Sequence, residues 1–181
     1  NGIVQSERVS DPLALREVAA DEVLELRREI VEIWPEASRD RLTEILPRHT
    51  SRDGFRFVGA FEDKRLLGFV YGYRGGAGQW WHDRVAAALG AAGAARWLGP
   101  GHFEFTELHV RAERRRQHIG GTLHDAVLAD LDAPTAVLST QTDNEAALAL
   151  YRQRGWKVIV PYLDFGSGRP FLIMGKDLPA A

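Results

Sequence analysis

One stretch of the chain, residues 103–131, limits the possible folds more than any other, because it combines a strand, a basic loop and a helix. The pattern of Phe103–Val110 indicates a strand, and apolar residues recur at helical spacing between residues 119 and 131. The N–H groups in the first turn of a helix have no intrahelical partner, and the helix dipole makes that end positive. The sequence therefore predicts an α/β or mixed α+β domain with an anion site at the start of this helix.

The loop before this helix carries the residue types that a phosphate site needs. Arg114, Arg115 and Arg116 can donate charge-assisted hydrogen bonds, and Gly120 and Gly121 let a ligand approach the backbone. A phosphate or pyrophosphate group is the ligand that this arrangement favours. The alternative is a solvated basic loop before an ordinary amphipathic helix. Neither a G-x-x-x-x-G-K-[ST] loop nor a G-x-G-x-x-G loop after the first strand occurs in the sequence.

Strand and helix patterns alternate along the rest of the chain. Strands are predicted at residues 13–18, in a hairpin over 55–71, at 136–139, and in a final pair at 156–160 and 170–174. Helices are predicted from Asp21 to Trp34, after Ser38, over the alanine-rich residues 83–98, and from Asn144 to Arg154. Residues 75–101 exceed an ordinary strand connection, so we expect an insertion there within a single domain spanning residues 1–181.

Composition excludes several classes of protein. With 45% hydrophobic residues the chain can bury a sizeable core, and 23 basic against 25 acidic residues argue against a general nucleic-acid binder. Because the chain has no cysteine, disulfides, thiolate metal sites and a cysteine nucleophile are excluded. No apolar run approaches the ~20 residues that span a bilayer, and residues 1–11 lack the pattern of a signal peptide, so we expect a cytoplasmic protein.

The basic loop resembles a known cofactor-binding motif. The run Arg115-Arg116-Gln117-His118-Ile119-Gly120 is similar to the acyl-CoA signature Q/R-x-x-G-x-G/A of the GCN5-related N-acetyltransferases. Arg115 takes the first position and Gly120 the last, whereas His118 stands where the family has its first glycine. Histidine adopts positive φ more readily than most residues, and its N–H is kept, so we expect phosphate binding to survive this replacement.

A second region supports the same resemblance. Residues 144–156 are similar to the family pattern N-x-x-A-x-x-L-Y-x-x-x-G-F/W, with Asn144, Ala147, Leu150, Tyr151, Gly155 and Trp156 in register. From its spacing alone, Tyr151 would be interpreted as a core aromatic residue. The first motif lies ~27 residues upstream, as it does in the family, and this favours a functional Tyr151.

The resemblance implies a fold and a reaction. The implied fold is a central, mostly antiparallel, twisted sheet of about six or seven strands flanked by helices. The implied activity moves an acetyl group from acetyl-CoA to an amine of a small molecule or peptide by direct attack, without a metal ion. We expect a monomer or homodimer that binds neither nucleic acid nor membrane. The alternatives are a non-catalytic acyl-CoA-binding module of the same fold and an unrelated nucleotide-binding protein.

The resemblance also assigns roles to particular residues. The Val110 N–H is implied as the donor to the acetyl carbonyl, and Asn144 as a contact to the pantetheine arm or the acceptor. Tyr151 is implied as the general acid that protonates the departing thiolate. The predicted cofactor-binding residues are Leu108, His109, Val110, Arg115, Arg116, Gln117, His118, Ile119, Gly120, Gly121, Asn144 and Tyr151.

Strand geometry suggests the general base. Glu107 and His109 are two residues apart and therefore point to the same face of one strand. We expect Glu107 to accept the proton of the amine, although a structural salt bridge would also explain a carboxylate there. Glu104 is a further candidate on the opposite face, and His109 is expected to be a packed strand residue.

The remaining predictions concern metals and the acceptor. No metal site is predicted, because His82, His102 and His124 lack the spacing of metal ligands. The acceptor side is expected to include residues 34–38, Tyr71, Tyr73 and Tyr162. Paired tryptophans at 80–81 beside a glycine cluster suggest that the insertion folds over the acceptor, and the alternative is a helix that packs in the core or dimerises.

Overall fold

The computed structural model describes residues 12–34 and 39–179, which form a seven-stranded sheet with helices on both faces. The strands are β1 Ala14–Glu17, β2 Arg56–Glu62, β3 Arg65–Arg74, β4 Phe103–Val110, β5 Thr135–Gln141, β6 Lys157–Asp164 and β7 Pro170–Asp177. The helices are α1 Ala20–Glu25, α2 Arg27–Ile33, α3 Arg39–Thr50, α4 Trp80–Trp97, α5 Ile119–Leu128 and α6 Glu145–Gln153. None of these helices combines the length and the apolar character needed to cross a membrane.

The strands lie in the order β1-β2-β3-β4-β5-β7-β6. The pair β4–β5 is parallel, and the other neighbouring pairs are antiparallel. This arrangement confirms the predicted mixed fold with a mostly antiparallel central sheet.

Strand β4 separates from β5 after its first two residues. Phe103 pairs with Ala136 and Glu104 with Val137, and no further pair joins these strands in the part of the chain that the structure describes. On its other edge, β4 stays paired with β3 as far as Val110. The sheet therefore opens between β4 and β5, and residues 106–110 present a strand edge without a strand partner.

A β-bulge at Thr106 changes which side chains share a face of β4. Phe105 before the bulge and Leu108 beyond it both pack into the apolar cluster under α5. Glu104 and Glu107 consequently share the other face of the strand. The prediction that Glu104 lies on the opposite face from Glu107 is wrong, because strand periodicity does not reveal an extra residue.

Helices cover both faces of the sheet. On one face, α5 and α6 pack over a cluster that includes the fully buried Leu123. On the other face, α1, α2 and α3 cover the N-terminal strands around Ile30, and α4 covers the C-terminal strands through Val85 against Val137. The opening between β4 and β5 thus lies between two separately packed parts of this second face.

The N-terminal helix differs from the prediction. Instead of one helix from Asp21 to Trp34, α1 and α2 meet at Leu26, where ψ is 3°. Val23 and Ile30 are nevertheless buried in the same cluster, so the local unwinding keeps the apolar stripe against the sheet. The predicted cap Ser38 lies outside the described residues.

Helix α4 occupies the predicted 75–101 insertion. It begins at Trp80, slightly earlier than predicted, and bends at Gly90, whose φ of +70° is left-handed. Near its start, Trp81 Nε1 donates to the Ser139 hydroxyl on β5 at 3.1 Å. The N-terminus of α4 is therefore fixed beside the part of the sheet that opens.

Candidate functional site

The loop between β4 and α5 forms a cradle of backbone N–H groups. The Thr122 N–H donates to the His118 carbonyl at 3.1 Å, and this is the first hydrogen bond of α5. The N–H groups of Ile119, Gly120 and Gly121 precede this bond and point out of the helix N-terminus. Because no acidic residue lies in this first turn, the positive end of the helix dipole is left for an anion.

Two residues of the cradle have a left-handed backbone. Arg116 has φ +59°, and His118, which caps α5, has φ +62° and ψ +5°. His118 therefore adopts a conformation that glycine takes without steric cost and that costs another residue about 1–2 kcal/mol. Its side chain is exposed. The left-handed backbone at position 118 is thus formed although the residue there is histidine and not glycine.

The two glycines that follow have different reasons to be there. A Cβ at position 121 would collide with the guanidinium of Arg154, which forms an ion pair with Asp125 at 2.9 Å. A Cβ at position 120 would lie 3.5 Å from Leu150, an ordinary contact. A side chain at position 121 would therefore displace the flexible end of Arg154, whereas one at position 120 would cover the backbone without a clash.

The three arginines of the loop have different partners. Arg114 donates to the carboxylate of Glu62 at 2.6 and 3.1 Å and to the side-chain oxygen of Gln117 at 2.9 Å. Its hydrogen bond to Glu62 raises the pKa of Arg114 and lowers that of the carboxyl group. Arg115 donates to the Val110 carbonyl at 3.3 Å, and Arg116 is exposed. Arg114 therefore anchors the loop to β2, whereas Arg115 and Arg116 are exposed beside the start of α5.

Hydrogen bonding to β3 determines which β4 groups face the opening. The Arg111 N–H donates to the Leu67 carbonyl at 2.8 Å, so alternate residues back along β4 bond to β3. By this alternation the N–H groups of Leu108 and Val110 point away from β3, into the gap between β4 and β5. The Val110 carbonyl faces the same way, since it accepts from Arg115. The predicted donor role of Val110 requires this orientation.

Glu107 and His109 form a pair on the face of β4 away from α5. His109 Nε2 lies 2.8 Å from Glu107 Oε2, so the two side chains share a face as predicted. The imidazole stacks on Trp34, with ring centroids 4.9 Å apart and 21° between the ring planes. His109 is therefore a packed residue that holds the Glu107 carboxylate in place. The Glu107 side chain is still 26% exposed.

Tyr151 is buried beside the opening, edge-on to Phe105 of β4 with ring centroids 5.8 Å apart. Burial first, and then the charge of Glu107, raise the pKa of Tyr151 far above its usual value. The hydroxyl group consequently keeps its proton at neutral pH. The two residues predicted to be catalytic thus lie within electrostatic reach of each other.

Asn144 caps α6, and its side-chain oxygen accepts the Ala147 N–H at 3.2 Å. Gly155, with φ +80°, follows the last turn of the same helix. The predicted helix from Asn144 to Arg154 is therefore confirmed to within one residue at each end. The cap occupies the amide oxygen of Asn144 and leaves its NH₂ group as the donor available to a ligand.

A half-buried histidine behind Glu107, His49, was not predicted from the sequence. His49 Nδ1 lies 3.0 Å from the Tyr71 hydroxyl, and Tyr71 pairs across the sheet with Glu107. Burial, with the charges of nearby arginines, lowers the pKa of His49 to about 4. Burial and the charge of Glu107 raise the pKa of Tyr71. The signal in the sequence was the buried stripe of α3, on which His49 continues the spacing of Leu46.

The predicted acceptor side is assembled in part. Tyr71 and Tyr73 are buried on this face, and the guanidinium of Arg52 lies 4.4 Å above the Tyr73 ring. Tyr162, on β6, is 65% exposed. Of residues 34–38, the structure describes only Trp34.

In residues 12–34 and 39–179, no three His, Asp or Glu side chains are arranged to hold a metal ion. Three of the described histidines instead lie beside carboxylates. These pairs are His82 with Asp83, His102 with Glu104 and His124 with Asp125.

Comparison with known sequences identifies relatives. The chain matches the Acetyltransferase (GNAT) family over residues 20–156. A GCN5-like protein acetyltransferase of Mycobacterium tuberculosis is 36% identical over 122 residues, which are 63% of this chain and 59% of the relative. The match therefore spans about three fifths of the length of that relative.

Solved structures share the fold at low sequence identity. A GNAT-family acetyltransferase from Desulfovibrio desulfuricans has a TM-score of 0.65 at 17% identity, covering 93% of this chain and 100% of its own. The PaiA N-acetyltransferase of Thermoplasma acidophilum, solved with coenzyme A, has a TM-score of 0.58 at 18% identity, with 92% and 99% covered. Aminoglycoside 6′-acetyltransferase type Ii has a TM-score of 0.65 at 20% identity, with 93% and 99% covered. With the family match extending over most of its length, the chain belongs to the GNAT family of acetyltransferases.

Proposed function

We propose that this protein transfers the acetyl group of acetyl-CoA to an amine of a small molecule or peptide. The observation that carries the proposal is the unpaired edge of β4, which leads from Glu107 and the buried Tyr151 to the N-terminus of α5. Membership of the GNAT family supports acetyl transfer, and a relative in fold was solved with coenzyme A.

The residues along this edge suit the polar groups of acetyl-CoA. The N–H groups of residues 116–121, with the guanidinium groups of Arg115 and Arg116, offer donors for a pyrophosphate. The N–H groups of Leu108 and Val110 suit the amide oxygens of an extended pantetheine arm. The NH₂ group of Asn144 is a further donor for the same arm or for the acceptor. His109 contributes by positioning its strand neighbour Glu107.

Three groups of the chain act on the reacting atoms in this proposal. Acetyl-CoA supplies the thioester. Glu107 accepts a proton from the acceptor amine, and the Val110 N–H donates to the carbonyl oxygen as that oxygen gains negative charge. Tyr151, whose burial and proximity to Glu107 raise its pKa, holds a proton that it donates to the leaving sulfur.

A panel of primary amines with a free-thiol readout tests this proposal. The wild-type protein should release thiol with at least one amine. Tyr151→Phe should lower kcat by roughly 10²-fold or more, because it removes the general acid without removing the buried ring. Isothermal titration with CoA shows whether the variant still binds the cofactor as the wild type does. Unchanged kcat in Tyr151→Phe would exclude the general-acid role.

A non-catalytic acyl-CoA-binding module is the second candidate function. The observation that favours it is the existing 2.8 Å pairing of Glu107 with His109, which a purely structural carboxylate would also show. Such a module would bind CoA tightly and release no thiol with any amine. Thermal shift with CoA, ATP and NAD separates both candidates from an unrelated nucleotide-binding protein, because a true ligand stabilises by RT ln(1 + [L]/Kd).

A further inference from the structure

Three buried side-chain atoms lack hydrogen-bond partners in the described ranges, and all are near the start of α4. Two of them are His102 Nε2 and Glu104 Oε1, whose side chains are 1% and 4% exposed. The third is Oε1 of Gln79, in the turn that leads into α4. Buried polar groups are nearly always hydrogen-bonded in native proteins, so this cluster requires a physical explanation.

The hydrogen bonding of His102 makes its unpaired atom an acceptor. His102 Nδ1 lies 2.9 Å from the Gly99 carbonyl oxygen, which can only accept, so Nδ1 carries the ring proton. In the tautomer that carries its proton on Nδ1, the lone pair of Nε2 faces Glu104 Oε1, 3.6 Å away. Two lone pairs that face each other away from water are unfavourable unless a proton lies between them.

The backbone of Gly75 keeps the space around this pair closed. A Cβ at that position would collide with both His102 Nε2 and Glu104 Oε1. The ring of His82 packs against the His102 ring, with centroids 5.3 Å apart. In so small a space, the donor that satisfies both atoms most simply is a single proton.

The pair connects to Glu107 on one side and to solvent on the other. Tyr73 pairs across the sheet with Glu104, and Glu107 pairs with Tyr71, two residues before Tyr73 on the same face. Burial and the charges of both carboxylates raise the pKa of Tyr73 to about 12. Beyond the pair, His82 Nδ1 lies 3.1 Å from the carboxylate of Asp83, whose side chain is 54% exposed.

Building on the proposed function, we propose that Glu104 and His102 share one buried proton and pass to solvent the proton that the acceptor amine loses. Glu107 takes a proton from the ammonium group and hands it through the Tyr73 hydroxyl to Glu104. The shared proton leaves His102 for the His82 ring that packs against it, and His82 passes the proton on its Nδ1 to Asp83. The pair then holds one proton as before, Glu107 is again a carboxylate, and the amine is neutral.

The proposed reaction requires that the proton taken up by Glu107 reach solvent while the substrates are bound. Cofactor and acceptor together would cover Glu107 from the open side of the sheet. Behind the Glu107 carboxylate, Tyr71 contacts His49, whereas Tyr73 leads toward the buried pair through its cross-strand partner Glu104. Helix α4, which brings His82 and Asp83 to the pair, therefore gives the proton a way out that does not cross the bound substrates.

Nitrogen-15 NMR of the histidine side chains tests the shared proton without any turnover. In the wild-type protein, Nε2 of His102 should resonate outside the range of an unprotonated nitrogen. In Glu104→Gln it should return to that range, because the NH₂ group of glutamine can donate to the lone pair and the amide has no acidic proton to share. Asp125→Asn is the matched control, since it alters a histidine–carboxylate pair on the other face of the sheet. A His102 Nε2 signal unchanged by Glu104→Gln would overturn the shared proton.

Kinetics with the best amine of the panel tests the exit route. Glu104→Gln and His82→Phe should each lower kcat by about 10²-fold, with little change in KM for acetyl-CoA, because proton removal becomes slow. Rising concentrations of imidazole buffer should restore most of the lost rate, and a structural defect would not respond. No loss of kcat, or a loss that buffer leaves unchanged, would overturn the route. If the wild-type protein binds CoA and acetylates no amine, the route fails with the proposed function, while the NMR result still decides the shared proton.

Discussion

Position 118 matters to the proposed anion site through its backbone and not through its side chain. His118 takes φ +62° and leaves the N–H groups of the following turn in place. The neighbouring arginines also differ in their contacts. Arg114 forms an ion pair with Glu62, whereas Arg115 and Arg116 are exposed near the start of α5. Because Arg114 already has a carboxylate partner, Arg115 and Arg116 are the guanidinium groups that would contact a phosphate in the proposed site.

Replacing Arg115 and Arg116 together by alanine should weaken CoA binding by roughly 10-fold or more, because two charge-assisted donors are lost. Binding of pantetheine, which lacks the diphosphate, should change little. Isothermal titration at fixed salt measures both affinities. Arg114→Ala is the matched control and should change CoA affinity by less than about threefold, since its guanidinium bonds Glu62. Equal losses for CoA and pantetheine would exclude a phosphate contact.

At the scale of elements, the sequence predicts those helix boundaries that depend only on neighbouring residues. Asn144 and Gly155 delimit α6 in the sequence because capping depends on neighbouring residues. The bulge at Thr106 and the separation of β4 from β5 depend on partners far away in the chain, so strand periodicity could not reveal them. For the same reason the prediction from strand periodicity placed Glu104 on the wrong face of β4. The proximity of Glu104 to His102 could not be predicted either.

The docking of α3 on the sheet should make stability depend on pH through His49. Its pKa of about 4 in the native protein lies below the value of ~6.5 in the unfolded chain. Between these values the unfolded chain binds a proton that the native protein does not, so stability rises with pH across this window. The contribution is fully present above about pH 6.5 and is lost as the pH falls toward about 4, by roughly 1–3 kcal/mol.

Urea unfolding of the wild-type protein and of His49→Gln, at about pH 7 and about pH 4.5, isolates this contribution. Glutamine can still bond the Tyr71 hydroxyl but does not titrate. The variant should therefore lose less stability on acidification than the wild type does. The same loss in both proteins would show that His49 titrates alike in the native and unfolded states.

At the scale of the whole molecule, the sheet consists of two antiparallel blocks, β1–β4 and β5–β7–β6, joined by the short β4–β5 contact. Helix α4 belongs in sequence to the first block and packs on the second. Its Trp97 lies so close to Gly175 that a Cβ there would clash, and the Thr135 hydroxyl donates to the Trp97 carbonyl at 3.0 Å. The helix therefore ties the blocks together, which lets the gap between β4 and β5 stay open without the sheet separating.

Removing residues 78–96 should consequently destabilise the protein as well as impair turnover. The deletion uncovers Val137 and Ile173, and each aliphatic side chain taken from full burial to exposure costs about 1.5–3 kcal/mol. At about 2–4 °C per kcal/mol for a chain of this size, Tm should fall by roughly 10 °C or more, and CoA affinity should fall with it. Differential scanning calorimetry and CoA titration measure the two effects. Trp80→Ala, at a side chain that is 60% exposed, should leave Tm nearly unchanged. A shortened chain with the Tm and CoA affinity of the wild type, defective only with amines, would instead make α4 a cover for the acceptor.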